Sequence, residues 1–265
     1  MKIVTDASEL VQGCAFVPTM GALHSGHQSL FTIAASRSEQ VLASIFVNPL
    51  QFESAEDLEK YPRTPEKDIE IAEAAGVTHL WLPHYEELYP EGFEKVLAGP
   101  LGNIYEGASR PGHFDGVVTV VSRLFELAQP KSAIFGEKDF QQLALIKKMK
   151  SGVDIIAAPT IRESDGLALS SRNVRLDPAA RKAAAVISRA LFAASNEQNL
   201  ESAQSVMLHV LSEETTFSCD YAEIIDENEF TPATHSTLHA RAIIAGWING
   251  IRLIDNMSMK LGAHS

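Results

Sequence analysis

Residues 14–27 read Cys14-Ala15-Phe16-Val17-Pro18-Thr19-Met20-Gly21-Ala22-Leu23-His24-Ser25-Gly26-His27. The first four residues are apolar and predict a β-strand that Pro18 ends. Residues 28–38 are predicted to form a helix. A strand, a glycine-containing turn and a helix in this order predict the first unit of a parallel sheet with helical crossovers.

The same alternation of short apolar runs and amphipathic segments continues to about residue 160. Residues 41–47 are almost all apolar, which is typical of a strand buried on both faces. Further strands are predicted at 79–82, 133–135 and 153–157, and further helices at 65–75, 117–128 and 141–150. The fold class predicted for this part is α/β, a parallel sheet flanked by helices.

The pattern changes after about residue 161. Two helices are predicted at 178–194 and 203–211, and they are followed by strands at 221–225, 240–245 and 251–254. Helices first and clustered strands later are typical of a separate α+β domain. We therefore expect a larger domain at 1–163 and a smaller C-terminal domain at 164–265.

Composition excludes several classes of protein. The chain has 265 residues, of which 45% are hydrophobic and 21% charged, so a disordered chain is excluded. The formal net charge is −12, and no dense Lys/Arg run is present, which argues against nucleic acid or a membrane as the partner. An anionic ligand would need a local basic site.

The cysteines and the lack of a long apolar segment predict a reducing, intracellular compartment. Cys14 and Cys219 lie far apart and form no C-x-x-C pair, so neither a zinc ribbon nor a disulfide framework is indicated. The first residues contain no apolar run typical of a signal peptide, and no run has the length of a membrane span. A reducing, cytoplasmic location is expected.

The turn at 18–27 has the features of a phosphate site. Gly21 and Gly26 let a nucleotide approach the backbone, and the N–H groups at a helix start favour phosphate. His24 and His27 are three residues apart, and each neutral ring can donate one N–H to the same phosphate. The alternatives are a glycine-rich turn with two surface histidines, or a metal pair, for which no third ligand lies nearby in sequence.

Two other nucleotide motifs are not complete. No G-x-G-x-x-G follows the first strand, so a dinucleotide fingerprint is missing. Residues 102–109 have the glycine spacing of a P-loop, but Ala108 stands where the phosphate-binding Lys is needed.

Six ordered segments carry a resemblance to a known family. Beside the turn at 17–27 they are Phe46-Val47-Asn48-Pro49-Leu50-Gln51-Phe52, Tyr61-Pro62-Arg63, Arg110-Pro111-Gly112-His113-Phe114-Asp115-Gly116-Val117, Phe135-Gly136-Glu137-Lys138-Asp139-Phe140-Gln141-Gln142 and Arg162-Glu163-Ser164-Asp165-Gly166-Leu167-Ala168-Leu169-Ser170-Ser171-Arg172-Asn173, with Leu253-Ile254-Asp255-Asn256 extending the match. Together they resemble the pantoate–β-alanine ligase family, a branch of the nucleotidyltransferase superfamily whose signature is H-x-G-H.

The resemblance implies a Rossmann-like nucleotide domain, a smaller C-terminal domain that acts as a lid, and a two-step reaction. Pantoate attacks the α-phosphorus of ATP to form pantoyl adenylate and pyrophosphate, and β-alanine then displaces AMP in a step of pantothenate biosynthesis. It also implies Mg²⁺ with ATP as co-substrate and a homodimer. Two alternatives remain at this point: another small-molecule nucleotidyltransferase of the superfamily, or a degenerate nucleotide-binding regulator.

The resemblance assigns roles residue by residue. The catalytic candidates are His24, His27, Lys138 and Arg172. The ATP-binding candidates are Met20, Gly21, Ala22, Leu23, His24, Ser25, Gly26, His27, Gly136, Glu137, Lys138, Asp139, Ile161, Leu169, Ser170, Ser171 and Arg172. The candidates for pantoate and β-alanine are Asn48, Gln51 and Gln142, because a neutral amide can both donate to and accept from a small hydroxy acid. Asp68 and Asp139 are considered as Mg²⁺ ligands, without a firm assignment.

Overall fold

The structure is a computed structural model that describes residues 1–262. The chain divides into two compact units, Met1–Pro159 and Thr160–Ser265. This division falls four residues before the boundary expected from the sequence at 163.

The first unit is built on six strands, all paired in parallel. They are β1 (Lys2–Val4), β2 (Ala15–Thr19), β3 (Val41–Ile45), β4 (His79–Trp81), β5 (Ser132–Gly136) and β6 (Asp154–Ala158). Their order in the sheet is β1-β4-β3-β2-β5-β6. From β2 the chain adds β3 and β4 on one side of the sheet, and it then crosses back to add β5 and β6 on the other side of β2. In open α/β sheets, ligands bind beyond the carboxyl ends of the two strands at which the direction of winding changes, which here are β2 and β5.

Seven helices belong to this unit: α1 (Ser25–Ala35), α2 (Ala55–Glu59), α3 (Pro65–Ala74), α4 (Tyr85–Leu88), α5 (Glu106–Ser109), α6 (His113–Ala128) and α7 (Phe140–Lys148). The central strands carry fully buried apolar side chains, among them Phe16, Leu42, Leu80 and Ile134. The predicted parallel α/β sheet is confirmed, and β1, which has only three residues, was not predicted.

The prediction that Pro18 ends the first strand is wrong. β2 continues to Thr19, and Pro18 pairs in register with Ser44 of β3. The backbone groups of Ala15 and Thr19 form hydrogen bonds on the side of β3. Residues alternate in direction along a strand, so the backbone of Pro18 faces the side of β5. Pairing with β5 extends only over Ala15 and Phe16. The missing N–H of Pro18 therefore costs no ladder hydrogen bond.

The second unit contains α8 (Pro178–Ser195), α9 (Leu200–Ser212) and an antiparallel sheet of β7 (Ser218–Asp226), β8 (His239–Ile248) and β9 (Ile251–Lys260). Its core joins the Ala-rich face of α8 to apolar residues of β8 such as Ile244. The small side chains Ala184 and Ala190 are fully buried. The α+β class is confirmed, with strands longer than predicted. Within residues 1–262, no helix has the length and apolarity needed to cross a membrane.

Candidate active site

The loops that follow β2 and β5 leave the sheet at the same edge. The first ends at His24, the N-cap of α1, and His27 is the third residue of that helix. The second contains Lys138 and Asp139. The charges of both residues act on the ring of His27, which places the two loops in one electrostatic environment. The Lys138 Nζ atom lies 3.4 Å from Asp139 Oδ1.

The backbone fixes the orientation of both histidine rings. His24 caps α1, and its Nδ1 accepts a hydrogen bond from Gly26 N at 3.1 Å. The Nδ1 of His27 accepts from His24 N at 3.3 Å. A backbone N–H can only donate, so each ring carries its proton on Nε2. The ring centroids are 4.1 Å apart, so the two Nε2–H donors come from adjacent rings.

The protonation state of His27 follows from its surroundings. Burial lowers the pKa of His27 to about 3, and the neighbouring His24 ring acts in the same direction. His27 is therefore neutral near pH 7. It can donate a hydrogen bond from Nε2, but it holds no transferable imidazolium proton at that pH. Of the two roles that the resemblance allows, the phosphate donor fits this state and the proton donor does not.

Asp68 on α3 holds the turn that precedes the histidines. Its Oδ2 accepts from Ala22 N at 2.9 Å, and its Oδ1 accepts from Leu23 N at 2.7 Å. Thr64 Oγ1 donates to the same carboxylate at 3.0 Å, and Asp68 is only 1% exposed. At Gly21, where φ is +82°, a Cβ atom would lie 2.9 Å from Asp68 Oδ2. Asp68 is thus a buried anchor of the turn, in place of the Mg²⁺ ligand considered from the sequence.

Replacing Asp68 with Asn should loosen this turn. Asn keeps the shape but offers one acceptor oxygen, so one of the two buried backbone N–H groups loses its partner. That loss costs about 1–3 kcal/mol. We expect a lower melting temperature and, in the adenylate-forming reaction that the resemblance implies, an at least tenfold slower exchange of labelled pyrophosphate into ATP. Thr64→Val, which removes only the third bond, is the matched control and should stay near wild type. Full exchange activity in Asp68→Asn would contradict the anchoring role.

A buried amide pair follows β3. Asn48 Nδ2 donates to Gln51 Oε1 and to Gly116 O, both at 3.1 Å. Asn48 Oδ1 accepts from Tyr89 Oη at 2.8 Å. Gln51 Nε2 lies 3.2 Å from Met20 Sδ, so its amide nitrogen is directed to the histidine turn.

These hydrogen bonds determine whether the oxygen or the nitrogen of the Gln51 amide can bind a ligand. The carbonyl of Gly116 can only accept, so the nitrogen of Asn48 faces it and also faces Gln51 Oε1. The oxygen of Gln51 is therefore engaged, and its Nε2–H₂ is the end available for a ligand. Burial raises the pKa of Tyr89, which keeps its hydroxyl protonated as the donor to Asn48.

The two neighbouring glutamines of α7 have different environments. Gln141 is buried, donates to Leu101 O and Ile104 O, and accepts from Glu106 N. Gln142, the predicted substrate residue, is partly exposed. Gln141 is therefore structural, and a substrate role for Gln142 stays a prediction.

Three residues near Gln51 were not identified as site residues from the sequence. The ring of His113 donates from Nδ1 to Gln51 O at 2.8 Å, and Arg110 lies 3.1 Å from the other ring nitrogen. Both belong to the segment 110–117 that supports the resemblance, and this membership could have marked them as site residues. Tyr89 had no such signal, because a tyrosine after a short helix has no distinctive pattern.

The remaining predicted ATP residues lie in the second unit. Ser170 Oγ accepts from Arg172 N at 3.2 Å and caps a 3₁₀ turn, Ser171–Arg175. Ile161 is 38% exposed, and Leu169 N donates to Ile161 O. Within residues 1–262, no three His, Cys, Asp or Glu side chains cluster as a metal site.

Comparisons with known proteins agree on one family. A family model described as "Pantoate-beta-alanine ligase" matches residues 2–258. The chain is similar to a pantothenate synthetase of Thermus thermophilus, with 44% identity over 274 residues, 98% of this chain and 99% of the relative. It is 42% identical over 283 residues to that of Chlorobium luteolum, covering 98% and 100% of the two chains.

Solved structures give the same result. A crystal structure of pantothenate synthetase from Thermus thermophilus matches with a TM-score of 0.92 and 44% identity, covering 97% of this chain and 99% of that one. A pantoate–β-alanine ligase from Francisella tularensis, complexed with "Beta-gamma ATP and Beta-alanine", matches with a TM-score of 0.77 and 35% identity, covering 97% of each chain.

Proposed function

The chain belongs to the pantoate–β-alanine ligase family, and from this premise we propose how its residues carry out the ATP-dependent condensation of pantoate with β-alanine. The observation that carries the proposal is the pair of histidines with Nε2–H donors at the start of α1, together with the Gln51 amide, which contacts Met20 of the same turn. It supports a site at one edge of the sheet in which the histidines donate to phosphate and Gln51 donates to the substrate.

In the first step, a carboxylate oxygen of pantoate attacks the α-phosphorus of ATP. The new P–O bond gives pantoyl adenylate, the bond to the β-phosphate oxygen breaks, and pyrophosphate leaves. His24 and His27 donate to the phosphate oxygens from Nε2 without changing their own protonation. Lys138 balances the charge that moves onto pyrophosphate. The resemblance supports adding the hydroxyls of Ser170 and Ser171 and the guanidinium of Arg172 to this set.

In the second step, the neutral amine of β-alanine attacks the acyl carbon. The C–N bond forms, the C–O bond to the phosphate breaks, AMP leaves, and the proton lost by the nitrogen passes to solvent. The amide nitrogen of Gln51 holds pantoate through both steps by donating to an oxygen of the acid. Asn48 and Tyr89 hold that amide in place.

Mg²⁺ supplies charge neutralisation on the ATP phosphates when bound. It usually keeps several waters and takes one or two carboxylates in addition to phosphate oxygens. Asp139, in the loop after β5, would supply such a carboxylate, since Asp68 is engaged with the backbone. We infer that the metal arrives with ATP. A homodimer and a cytoplasmic location stay proposals, which light scattering and cell fractionation would test.

Pantoate-dependent exchange of labelled pyrophosphate into ATP tests the proposal. Exchange that requires pantoate and Mg²⁺ but not β-alanine is the expected result, and addition of β-alanine should then yield pantothenate and AMP. ATP binding without pantoate-dependent exchange would contradict the adenylate step.

Gln51→Ala should weaken the use of pantoate selectively. It removes the amide donor directed at the histidine turn, and a hydrogen bond to a charged group is worth about 1.5–3 kcal/mol. We expect the KM for pantoate to rise at least tenfold while the KM for ATP changes less than threefold. Gln40→Ala, at an exposed position before β3, is the matched control. A collapse of ATP binding in Gln51→Ala would show that the pocket is assigned wrongly.

A further inference from the structure

We propose that Arg162 and Asp255 are positioning residues that hold the phosphate-binding loop at residues 170–172. The inference rests on the proposed ATP role of that loop. It gives a function to the segment 253–256, which supports the resemblance but contributes no residue to the site described above.

Residues 161–169 form a short hairpin that leads directly into the loop. Leu169 N donates to Ile161 O at 2.9 Å, and Arg162 pairs with Ala168 as an antiparallel bridge. The turn contains Gly166, where φ is +88° and a Cβ would lie 2.8 Å from Ser188 Oγ. The position of the loop therefore depends on the position of this hairpin.

Arg162 fastens the hairpin to β9. Its two terminal nitrogens bond the two carboxylate oxygens of Asp255, at 2.5 and 3.0 Å. The same nitrogens donate to Gly166 O and to Asn256 O, both at 3.1 Å. Asp255 is 5% exposed. These four bonds use all four terminal N–H groups and leave only the Nε–H, so we infer that Arg162 acts through the loop it supports.

Two further contacts extend this support. At the exit of the hairpin, Asn173 Nδ2 donates to Ala168 O at 3.0 Å, which ties the far end of the loop back to the hairpin. On the other side, Arg181 of α8 pairs with Glu163 at 2.6 Å and with Asp165 at 3.0 Å. The hairpin is thus held by β9 and by α8 before any ligand arrives, which lowers the entropy cost of ordering the loop around phosphate.

Asp255→Asn in the full chain tests the proposal. Asn keeps the volume but cannot form the charged, two-oxygen pair with the guanidinium. We expect the KM for ATP in pyrophosphate exchange to rise at least tenfold and the KM for pantoate to stay within twofold. Asp220→Asn is the matched control, because it breaks the Arg252–Asp220 pair of the same sheet, at 2.7 Å, without touching the hairpin. It should leave both constants unchanged.

Loss of a partner from a buried pair can unfold a protein, so a milder variant is included. Glu163→Gln weakens the partly exposed Arg181 contact and should raise the KM for ATP about threefold with a melting temperature near wild type. Folded Asp255→Asn and Glu163→Gln with unchanged KM for ATP, or with equal losses for ATP and pantoate, would overturn the proposal.

Arg172→Ala separates the two inferences. If Arg172→Ala raises the KM for ATP and folded Asp255→Asn does not, only the positioning role fails. If Arg172→Ala also leaves the KM for ATP unchanged, the phosphate role of residues 170–172 fails, and the positioning role fails with it.

Discussion

Replacing His27 with Ala is expected to lower pantoate-dependent pyrophosphate exchange by about 10²–10³-fold, the usual cost of removing one donor aimed at developing charge. The reason is that the Nε2–H of His27 points away from its own backbone bond and is the ring's only donor. The melting temperature should fall only slightly, because His27 lies at the start of α1 and is not one of the apolar residues that form the core cluster. Exchange rates and thermal melts of the same samples check both parts.

Two variants separate the donor from the helix cap. His27→Asn retains an oxygen that can accept from His24 N, as Nδ1 does, but its amide is too short to replace Nε2–H. We expect its stability to return to wild type while exchange stays low. The wild-type rate should show no ionisation of His27 between pH 5 and pH 8, because its pKa is about 3. Recovery of activity in His27→Asn would assign the residue to capping alone.

Gly116→Ala is expected to reduce the use of pantoate at least tenfold, by moving the segment that carries Gln51. Gly116 lies inside α6, where Ala normally stabilises a helix by roughly 0.5–1 kcal/mol. Here the added Cβ would lie 2.3 Å from Leu50 O and 2.7 Å from Gln51 N. Backbone atoms cannot rotate away, so the turn after Asn48 must shift. Overpacking of this kind costs about 1–3 kcal/mol.

The effect should be specific to this contact. Ser122→Ala on the same helix is the matched control, and it should leave the KM for pantoate and the melting temperature near wild type. Gly116→Ala should raise the KM for pantoate more than the KM for ATP, since the histidine turn is anchored separately by Asp68. An unchanged KM for pantoate together with a higher melting temperature would contradict this prediction. It would show that the turn after Asn48 accommodates the added Cβ without displacing Gln51.

Local patterns were sufficient for the order of the longer strands and helices, but they missed β1 and the short helices α2, α4 and α5. Buried parallel strands are continuous apolar runs, so residues 41–47 were predicted to form a strand. In the structure this strand spans Val41–Ile45. Element ends were less predictable. α1 begins at Ser25, three residues before the predicted start, because the His24 side chain caps it. α6 begins at His113 instead of 117, because Gly112 adopts a left-handed conformation just before it.

The sequence by itself determined the fold class, the place of the histidine turn after the strand that is β2 in the structure, and the family. These depend on residues that are close together in the chain, whose spacing is visible in one dimension. The tertiary structure alone decided which side chains support the site. Ala22 and Asp68 are 46 residues apart, and Arg162 and Asp255 are 93 apart. Such pairs leave no periodic pattern, because their contact depends on how the elements pack.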